Sequence, residues 1–317
     1  MTPCFLSRNF VPVRIEESAT LRPILERYPQ PLSGYSFASL VVWAPVFQYG
    51  FTVLEDGTLL VSCCPGFETT CHLLQPVGPF SDASQAMLLE AARALPYPLR
   101  IVAVSEDFLA GHAHFASHFE AVAVRDMANY VYAASDLAHL RGRRYAAKRN
   151  LIAQARRSYE WVVEPLAPEH REACLAVADD IAGKRSLASG VTLEREAIAL
   201  RRALDLQEQL ALGGVVIRTQ NRVAAFSIFD KLNPTTADVL FERALRAYKG
   251  LYQVVNQETA QRLLALGYER INREEDLGDP GLREAKLSYH PVRLEPSFEL
   301  TFRKELAEAG SQPQPAL

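Results

Sequence analysis

The second half of the chain, residues 161 to 303, has an order of strand and helix patterns that restricts it to few folds. Its hydrophobic periodicities predict the order β-α-α-β-β-β-α-β-α-β. The third of these helices ends at Gly267, and the last strand alternates apolar side chains at Phe298, Leu300 and Phe302. These patterns predict an α/β (α+β) fold.

This order resembles that of the Gcn5-related N-acetyltransferase (GNAT) fold. In that fold the central strand and the following helix separate from their neighbours, and the loop between them offers backbone N–H groups to the phosphates of a donor. The corresponding junction here is residues 241–252. Arg246, Lys249 and Gly250 are residue types that would suit such phosphates. The acetyl-CoA version of the loop has Gly or Ala where this chain has Tyr252, which disfavours acetyl-CoA itself as the donor.

The segment 136–157 concentrates positive charge in a chain whose net charge is -3 and whose pI is about 6.2. This mildly acidic background argues against a general nucleic-acid coat protein. From Tyr145 onward the segment predicts a helix, because it lacks Gly and Pro and is rich in Ala, Leu, Arg and Lys. The helix is either a solvated connector or a surface for an anionic ligand, and we predict that the stripe with Tyr145 and Arg149 faces inward. The seven cations are Arg141, Arg143, Arg144, Lys148, Arg149, Arg156 and Arg157.

The composition is that of a soluble globular protein long enough for two domains, with 317 residues, 49% hydrophobic and 22% charged. The N-terminus lacks the pattern of a signal peptide, and no apolar run reaches the about 18 residues of a membrane span. Five cysteines, an odd and unevenly placed set, predict free thiols in a reducing, cytoplasmic location. The group Cys63, Cys64, Cys71 and His72 lacks the two spaced pairs of a zinc site, so no metal is predicted.

Three motifs carry a resemblance to one family. They are LRGRRYAAKRN at residues 140–150, KGLYQVVN at 249–256 and YERINREEDLGDPGLREAKLSYHP at 268–291. With these motifs the chain resembles the DUF2156 family, which is similar to the C-terminal catalytic domain of phosphatidylglycerol lysyltransferase. The resemblance implies two tandem GNAT-like domains, each a mixed, mostly antiparallel sheet flanked by helices, as in the aminoacyl-tRNA-dependent transferases of the Fem type. The boundaries predicted on this basis are 1–142 for the first domain, 143–158 for a basic connecting helix, 159–305 for the second domain and 306–317 for a disordered tail.

The resemblance also implies a transferase activity. The lysyltransferase uses aminoacyl-tRNA as donor and an anionic lipid as acceptor. We therefore expect an acyltransferase that takes aminoacyl-tRNA or acyl-CoA as donor substrate, acts on an unidentified amine or hydroxyl acceptor, and requires no cofactor. The rival expectation is a non-catalytic module of the same fold that binds RNA or another anionic partner through the basic helix. A peripheral membrane contact finds no support in the sequence.

Two side chains are candidates for acid–base chemistry. Glu242 could act as base towards an acceptor amine, could bind an amino group directly, or could simply pair with Arg243 or Arg246. Tyr289 could protonate a leaving group, or could be a buried core tyrosine. The acidic loop at 273–279 lacks the spacing of an EF-hand and predicts a structural or substrate-shaping loop. The donor phosphates are expected nearest Arg246, Lys249, Gly250 and Tyr252, and the substrate cleft is expected to include Tyr145, Lys148, Arg149, Asn150 and Asn256.

Overall fold

The computed structural model describes residues 5–182 and 190–304, and their strands form two sheets of seven. In the first sheet all neighbouring strands are antiparallel except the fourth and fifth, which are parallel. Its strands, in the order in which they lie side by side, are β1 (Val11–Pro12), β2 (Gly50–Val53), β3 (Leu59–Cys63), β4 (His72–Leu74), β5 (Arg100–Val104), β14 (Phe298–Phe302) and β6 (Phe119–Ala123). Gly57 takes the positive φ of 86° that the turn between β2 and β3 requires.

The second sheet is also mixed and mostly antiparallel, with one parallel pair at its centre. Its strands, from edge to edge, are β13 (Arg293–Glu295), β7 (Asn129–Ala133), β12 (Arg270–Asn272), β11 (Thr236–Ala244), β10 (Arg222–Lys231), β9 (Gly213–Thr219) and β8 (Val162–Pro165). The parallel pair is β11 with β12. The predicted fold class, α/β with two mixed and mostly antiparallel sheets flanked by helices, is confirmed.

Helices cover both sheets. Several begin at a side chain that accepts a hydrogen bond from the first turn: Ser36, Ser81, Ser105 and Asp279 do so. The described helices are α1 (Ser18–Arg27), α2 (Phe37–Phe47), α3 (Asp82–Ala94), α4 (Glu106–Gly111), α5 (Ala113–Ala116), α6 (Ala134–His139), α7 (Ala146–Ser158), α8 (Arg171–Ala182), α9 (Gly190–Asp205), α10 (Gln207–Leu210), α11 (Leu251–Ala265) and α12 (Pro280–Leu287). None of them is both long enough and apolar enough to cross a membrane.

The apolar run at residues 40–47 has the length of a typical strand, but in the structure it forms most of helix α2. This helix is buried on several faces, with Leu40, Val41 and Val42 at 0% exposure. A short, uniformly apolar run has no periodicity that separates a buried helix from a buried strand. The cap at Ser36, which accepts from the amide of Ser39 at 2.9 Å, marks where the helix begins.

Two strands cross between the halves of the chain. β7 precedes the basic helix in sequence but lies between β13 and β12 of the second sheet. β14 comes last in sequence but lies between β5 and β6 of the first sheet. Neither sheet is therefore formed by residues 1–142 or 159–305 alone, although the boundaries themselves stay a prediction. The predicted tail at 306–317 lies outside the described residues.

The core has two parts, on opposite faces of the first sheet. Successive residues of β3 enter different parts, because side chains alternate along a strand: Leu59 and Val61 join one cluster and Leu60 the other. The larger cluster continues into the second sheet and includes α2, α7 and α11. The smaller cluster contains β14 through Leu300 and Phe302.

The cysteines depart from the sequence prediction of free thiols. Cys64 and Cys71 form a disulfide across the connection from β3 to β4, whereas Cys63 and Cys174 are free and buried. The prediction is therefore wrong for one pair, and Cys4 lies outside the described residues. The antiparallel pairing of β3 with β4 brings the two Cα atoms within 4.3 Å, and sequence spacing alone does not reveal such a contact.

Leu300→Ala should destabilise both halves together, because Leu300 is 0% exposed in a strand that the second half inserts into the first sheet. Removing this side chain should lower the free energy of unfolding by about 2–5 kcal/mol. Urea denaturation followed by circular dichroism measures the change. Glu120→Ala, at an exposed position of the neighbouring β6, should change it by less than about 0.5 kcal/mol. Two separate unfolding transitions in Leu300→Ala, with the second unshifted, would contradict the coupling of the two halves.

Candidate functional site

The site is built where β11 and β12 separate. These parallel strands pair at only three positions, Thr236 with Arg270, Ala237 with Ile271 and Asp238 with Asn272. Beyond them β11 continues to Ala244 alongside β10, and a bulge opposite Ile228 and Phe229 changes which of its side chains face each side. The chain after Asn272 instead continues beside β7, where the Arg273 amide donates to the Tyr130 carbonyl oxygen at 3.0 Å. Side chains of both strands can therefore meet in the gap, which we call the splay.

Glu242 and Arg273 meet at the splay and are both largely buried. Arg273 Nη2 donates to Glu242 Oε1 at 2.8 Å, and Asn256 Nδ2 donates to Glu242 Oε2 at 3.3 Å. Burial is the largest influence and opposes the charge of Arg273, but Glu242 together with Tyr132 and Tyr289 raises the pKa of the guanidinium. Arg273 is thus held as a cation in a fixed position. The sequence had offered Arg243 or Arg246 as partners of Glu242, but the side chain of Arg243 instead pairs with Glu196.

Aromatic rings surround the guanidinium. The Arg273 Cζ atom lies 5.7 Å from the ring centroid of Tyr132 and 5.2 Å from that of Tyr289. Tyr289 is 5% exposed, and burial raises the pKa of its phenol, although Arg273 acts in the opposite direction. Lys148 Nζ lies 4.2 Å from the Tyr289 ring and donates to Ser288 Oγ at 2.6 Å. Burial and the charge of Arg273 lower the pKa of Lys148. We call Lys148, Glu242, Asn256, Arg273 and Tyr289 the splay cluster.

The basic helix contributes to this cluster through an unexpected side. Tyr145 is fully buried and its hydroxyl donates to the backbone oxygen of Tyr289 at 3.1 Å, as the predicted inward stripe requires. Arg149, on the same stripe, is exposed and its Nη1 donates to the carbonyl oxygens of Leu140 and Gly142 at 2.5 and 2.7 Å. Arg149 therefore closes the turn into α7, and Lys148 from the neighbouring stripe reaches Tyr289. Asn150 is exposed.

The loop predicted to bind donor phosphates leads into α11. Arg246 and Lys249 are exposed there, and Tyr252 is half-buried against the larger core cluster. Gly250 has a φ of 85°, and a Cβ atom on it would come within 2.4 Å of the carbonyl oxygen of Leu151. Glycine is needed at this position so that α7 can pack against the N-terminus of α11. The structure thus places Gly250 in a packing role and leaves the side chains of Arg246 and Lys249 facing solvent.

The acidic loop after β12 is anchored by its own ion pairs. The fully buried carboxylate of Asp276 accepts hydrogen bonds from Arg125, Tyr130 and Arg283, at 3.1, 2.6 and 2.9 Å. Lys286 Nζ donates to the carbonyl oxygens of residues 273 and 275 at 2.5 Å each. These bonds hold Arg273 in its place at the splay. Among the described residues, His, Cys, Asp and Glu side chains form no group of three placed to hold a metal ion.

Sequence reasoning identified part of this cluster. Glu242, Asn256, Tyr289 and Lys148 were candidates, and the structure brings all four together. Arg273 was missed as a site residue, although it stands at the start of the acidic loop. The sequence signal that could have identified Arg273 is its position directly after a buried strand. Ligand clefts form at the carboxyl ends of parallel strands, and β12 is parallel to its neighbour.

Comparison with known proteins assigns the family. A sequence model described as "Phosphatidylglycerol lysyltransferase, C-terminal" matches residues 25–300. The chain belongs to this family. Membership of this family makes the chain a transferase in general terms. A search of curated protein sequences found no match.

Solved structures show the same fold. A conserved protein of unknown function from Bacteroides thetaiotaomicron is 28% identical, with a TM-score of 0.85 over 93% of this chain and 99% of that one. L-PGS from Bacillus licheniformis is 17% identical, with a TM-score of 0.64 over 97% and 96%. A tandem GNAT protein from the clavulanic acid biosynthesis pathway is 14% identical, with a TM-score of 0.54 over 92% and 97%. The predicted tandem GNAT-like fold is confirmed.

Gly250→Ala should destabilise the protein by more than about 2 kcal/mol, because the alanine would have a left-handed backbone and would clash with the Leu151 carbonyl. Gly267→Ala is the matched control, since Gly267 has a φ of 91° but nothing within 4 Å of an added Cβ. Gly267→Ala should lose only the stability that an alanine costs in a left-handed backbone, without a clash. Thermal unfolding of the two variants measures the difference. Equal destabilisation would show that contact with α7 is not what requires glycine at 250.

Asp276→Asn should lower stability at neutral pH by at least about 2 kcal/mol, since it leaves two arginines without their buried carboxylate while water partly screens them. The hydrogen bond from Arg283 holds the pKa of Asp276 below its usual range, although burial acts the other way. The depressed pKa contributes stability above the unfolded value near 4, and this stability is lost as the pH falls. Urea titrations between about pH 7 and 3 should show a flatter pH dependence for Asp276→Asn than for the wild type. Parallel curves would contradict this role for Asp276.

Proposed function

We propose that this protein transfers an aminoacyl group from an aminoacyl-tRNA to an amine or hydroxyl acceptor. The observation that carries the proposal is the splay cluster, in which a guanidinium fixed by Glu242 lies beside the ring of Tyr289. Membership of the family and the shared fold support a transferase in general. The donor and the acceptor class are our proposal.

Arg273 is suited to stabilise the charge that develops during acyl transfer. When an acceptor attacks an ester carbonyl, its oxygen becomes negative, and a fixed cation in a water-poor site stabilises that charge. Arg273 needs little reorganisation to do so, because Glu242 already binds one edge of its guanidinium and Asn256 fixes Glu242. Glu242 thus acts as a positioning residue in this proposal. The rate gain would come mainly from holding donor and acceptor in the right geometry.

Tyr289 would handle the proton. Burial raises the pKa of its phenol, so the hydroxyl keeps its proton at neutral pH. A new bond forms between the acceptor nitrogen or oxygen and the carbonyl carbon, and the bond from that carbon to the ribose oxygen breaks. Tyr289 gives its proton to the leaving ribose oxygen, and the proton released by the acceptor restores the phenol.

A pair of half-buried tyrosine rings beside the exposed Arg222, near the donor loop, supports RNA as the donor carrier. The Tyr159 hydroxyl donates to the Lys249 carbonyl oxygen at 3.0 Å, and its ring lies 5.3 Å from that of Tyr248. The Arg222 guanidinium lies 5.5 Å from the Tyr248 ring. Rings of this kind stack on unpaired bases, and the cations neutralise phosphates. The same surface also suits the rival function, a module that binds RNA without catalysis.

Tyr289→Phe should lower the rate of aminoacyl transfer about a hundredfold or more, because it removes the proton donor and leaves the ring. The assay follows labelled amino acid from a charged tRNA pool into phosphatidylglycerol vesicles and into 1,5-diaminopentane, with acyl-CoA as the competing donor. Binding of tRNA, measured by filter retention, should be unchanged in this variant. Arg222→Ala should instead weaken tRNA binding and reduce its salt dependence.

The outcomes separate the two functions. Transfer at the wild-type rate by Tyr289→Phe would sink the role given to the phenol. Tight binding of tRNA without transfer to either acceptor would favour the RNA-binding module. Transfer from acyl-CoA in preference to aminoacyl-tRNA would overturn the donor assignment.

A further inference from the structure

Four acidic side chains lie within electrostatic reach of one another at the second sheet, and two of them share the face that α2 covers. Asp230 and Asp238 are direct cross-strand partners on β10 and β11, so their side chains share one face. Glu274 and Glu275 follow β12, and their carboxylates repel that of Asp238. We call these four residues the acid chamber.

The first half of the chain forms one wall of the chamber. The rings of Trp43 in α2 and Phe241 in β11 stack with centroids 6.3 Å apart. Phe241 and Asp238 face the same side, because their partners on β10, Ile228 and Asp230, are two residues apart. Helix α2 therefore lies over the face from which the carboxylate of Asp238 projects.

Amide side chains form another wall. Asn272, the partner of Asp238 on β12, donates through Nδ2 to Asn129 Oδ1 at 2.9 Å and to the Pro31 carbonyl oxygen at 3.4 Å. Asn129 Nδ2 donates to Glu275 Oε2 at 3.4 Å. These amides are occupied with one another, with Pro31 and with Glu275. None of these hydrogen bonds reaches Asp238.

Asp238 is the residue that makes the chamber a site. It is 0% exposed, and neither of its carboxylate oxygens accepts a hydrogen bond from any part of residues 5–182 and 190–304. Burial, followed by the charges of Glu275 and Asp230, raises the pKa of Asp238. Burying an unpaired carboxylate is costly, so a buried carboxylate normally has a cation, a donor or a proton.

The neighbouring cation is already engaged. Lys286 is the cation whose charge acts on Asp238 within the described residues. Its Nζ donates to the carbonyl oxygens of Arg273 and Glu275, and burial lowers its pKa to about 8. Two of the other carboxylates have partners of their own: Asp230 accepts a hydrogen bond from the Ser36 side chain and lies near the charges of Arg22 and Lys231, and Glu275 accepts one from Asn129. Asp238 has no such donor within the described residues. A positively charged ligand group with N–H donors would supply both the missing charge and the missing hydrogen bonds.

We propose that the acid chamber binds the primary ammonium group of a substrate. The inference deepens the proposed function and rests on it for the transfer step, because it places the amine of a substrate beside the splay. Glu274 follows Arg273 directly, so the chamber adjoins the splay cluster. The side chains of Asp238 and Glu242 lie on opposite faces of the sheet, so a substrate would reach both groups through the gap that opens beyond Asp238 and Asn272.

The ammonium could belong to the aminoacyl group of a donor or to an amine acceptor. L-Alaninamide mimics the first source and 1,5-diaminopentane the second. Titration calorimetry of the purified protein with each compound, at matched ionic strength, identifies the source. We expect saturable binding of at least one of them and none of 1-pentanol, which has a similar chain but no charge.

Asp238→Asn should weaken amine binding at least about tenfold, a loss of about 1.4 kcal/mol in binding free energy. Glu120→Gln, which removes an exposed carboxylate from β6, should bind as the wild type does. If Asp238→Asn does not fold by circular dichroism, Glu275→Gln takes its place with the same expectation. Equal binding of 1-pentanol, unchanged binding in the folded variant, or no binding of either amine would overturn the chamber assignment.

The two proposals can fail separately. Amine binding that depends on Asp238, without transfer from any donor, would leave the chamber standing and remove the proposed function. Transfer activity that is unchanged in Asp238→Asn, together with no amine binding, would remove the chamber assignment and leave the proposed function standing.

Discussion

The short parallel pairing of β11 with β12 is the constraint on which the site depends. Three paired positions hold the strands together, and the chain then separates at Asp238 and Asn272. Separation leaves a gap in a sheet that is otherwise closed by hydrogen bonds. The side chains of Glu242 and Arg273 extend into this gap. Their ion pair occupies part of the space where further backbone hydrogen bonds between the two strands would lie.

The two faces of the sheet at this gap have opposite electrostatic character. The side covered by α7 and α11 carries Lys148 and Arg273 next to Tyr289. The side covered by α2 carries Asp238 with three further carboxylates nearby. The bulge in β11 produces this division, because it changes the alternation so that Asp238 and Phe241 share one face. Interleaved strands support both sides, since β7 and β14 each complete the sheet of the other half.

Much of the fold was predictable because local signals were strong. The order of strands and helices in the second half, apart from the short α10 and β13, and the end of α11 at Gly267 follow from hydrophobic periodicity and from a glycine after the last apolar turn. Helix α2 was not predictable, because a uniformly apolar run has no polar side to reveal the helical period. The placement of β7 in the second sheet and of β14 in the first was not predictable either. Strands can pair by hydrogen bonds whatever their separation in sequence.

The sequence by itself determined the fold class and the family, since these depend on residue types at fixed spacings, and it offered four members of the splay cluster among its candidates. Tertiary structure alone decided the partners. It assigned Glu242 to Arg273, turned Arg149 back onto the carbonyls of Leu140 and Gly142, and joined Cys64 to Cys71. It also left the buried carboxylate of Asp238 without a hydrogen-bond partner in the described chain. Charge and distance in three dimensions set these pairings, and a linear pattern does not contain them.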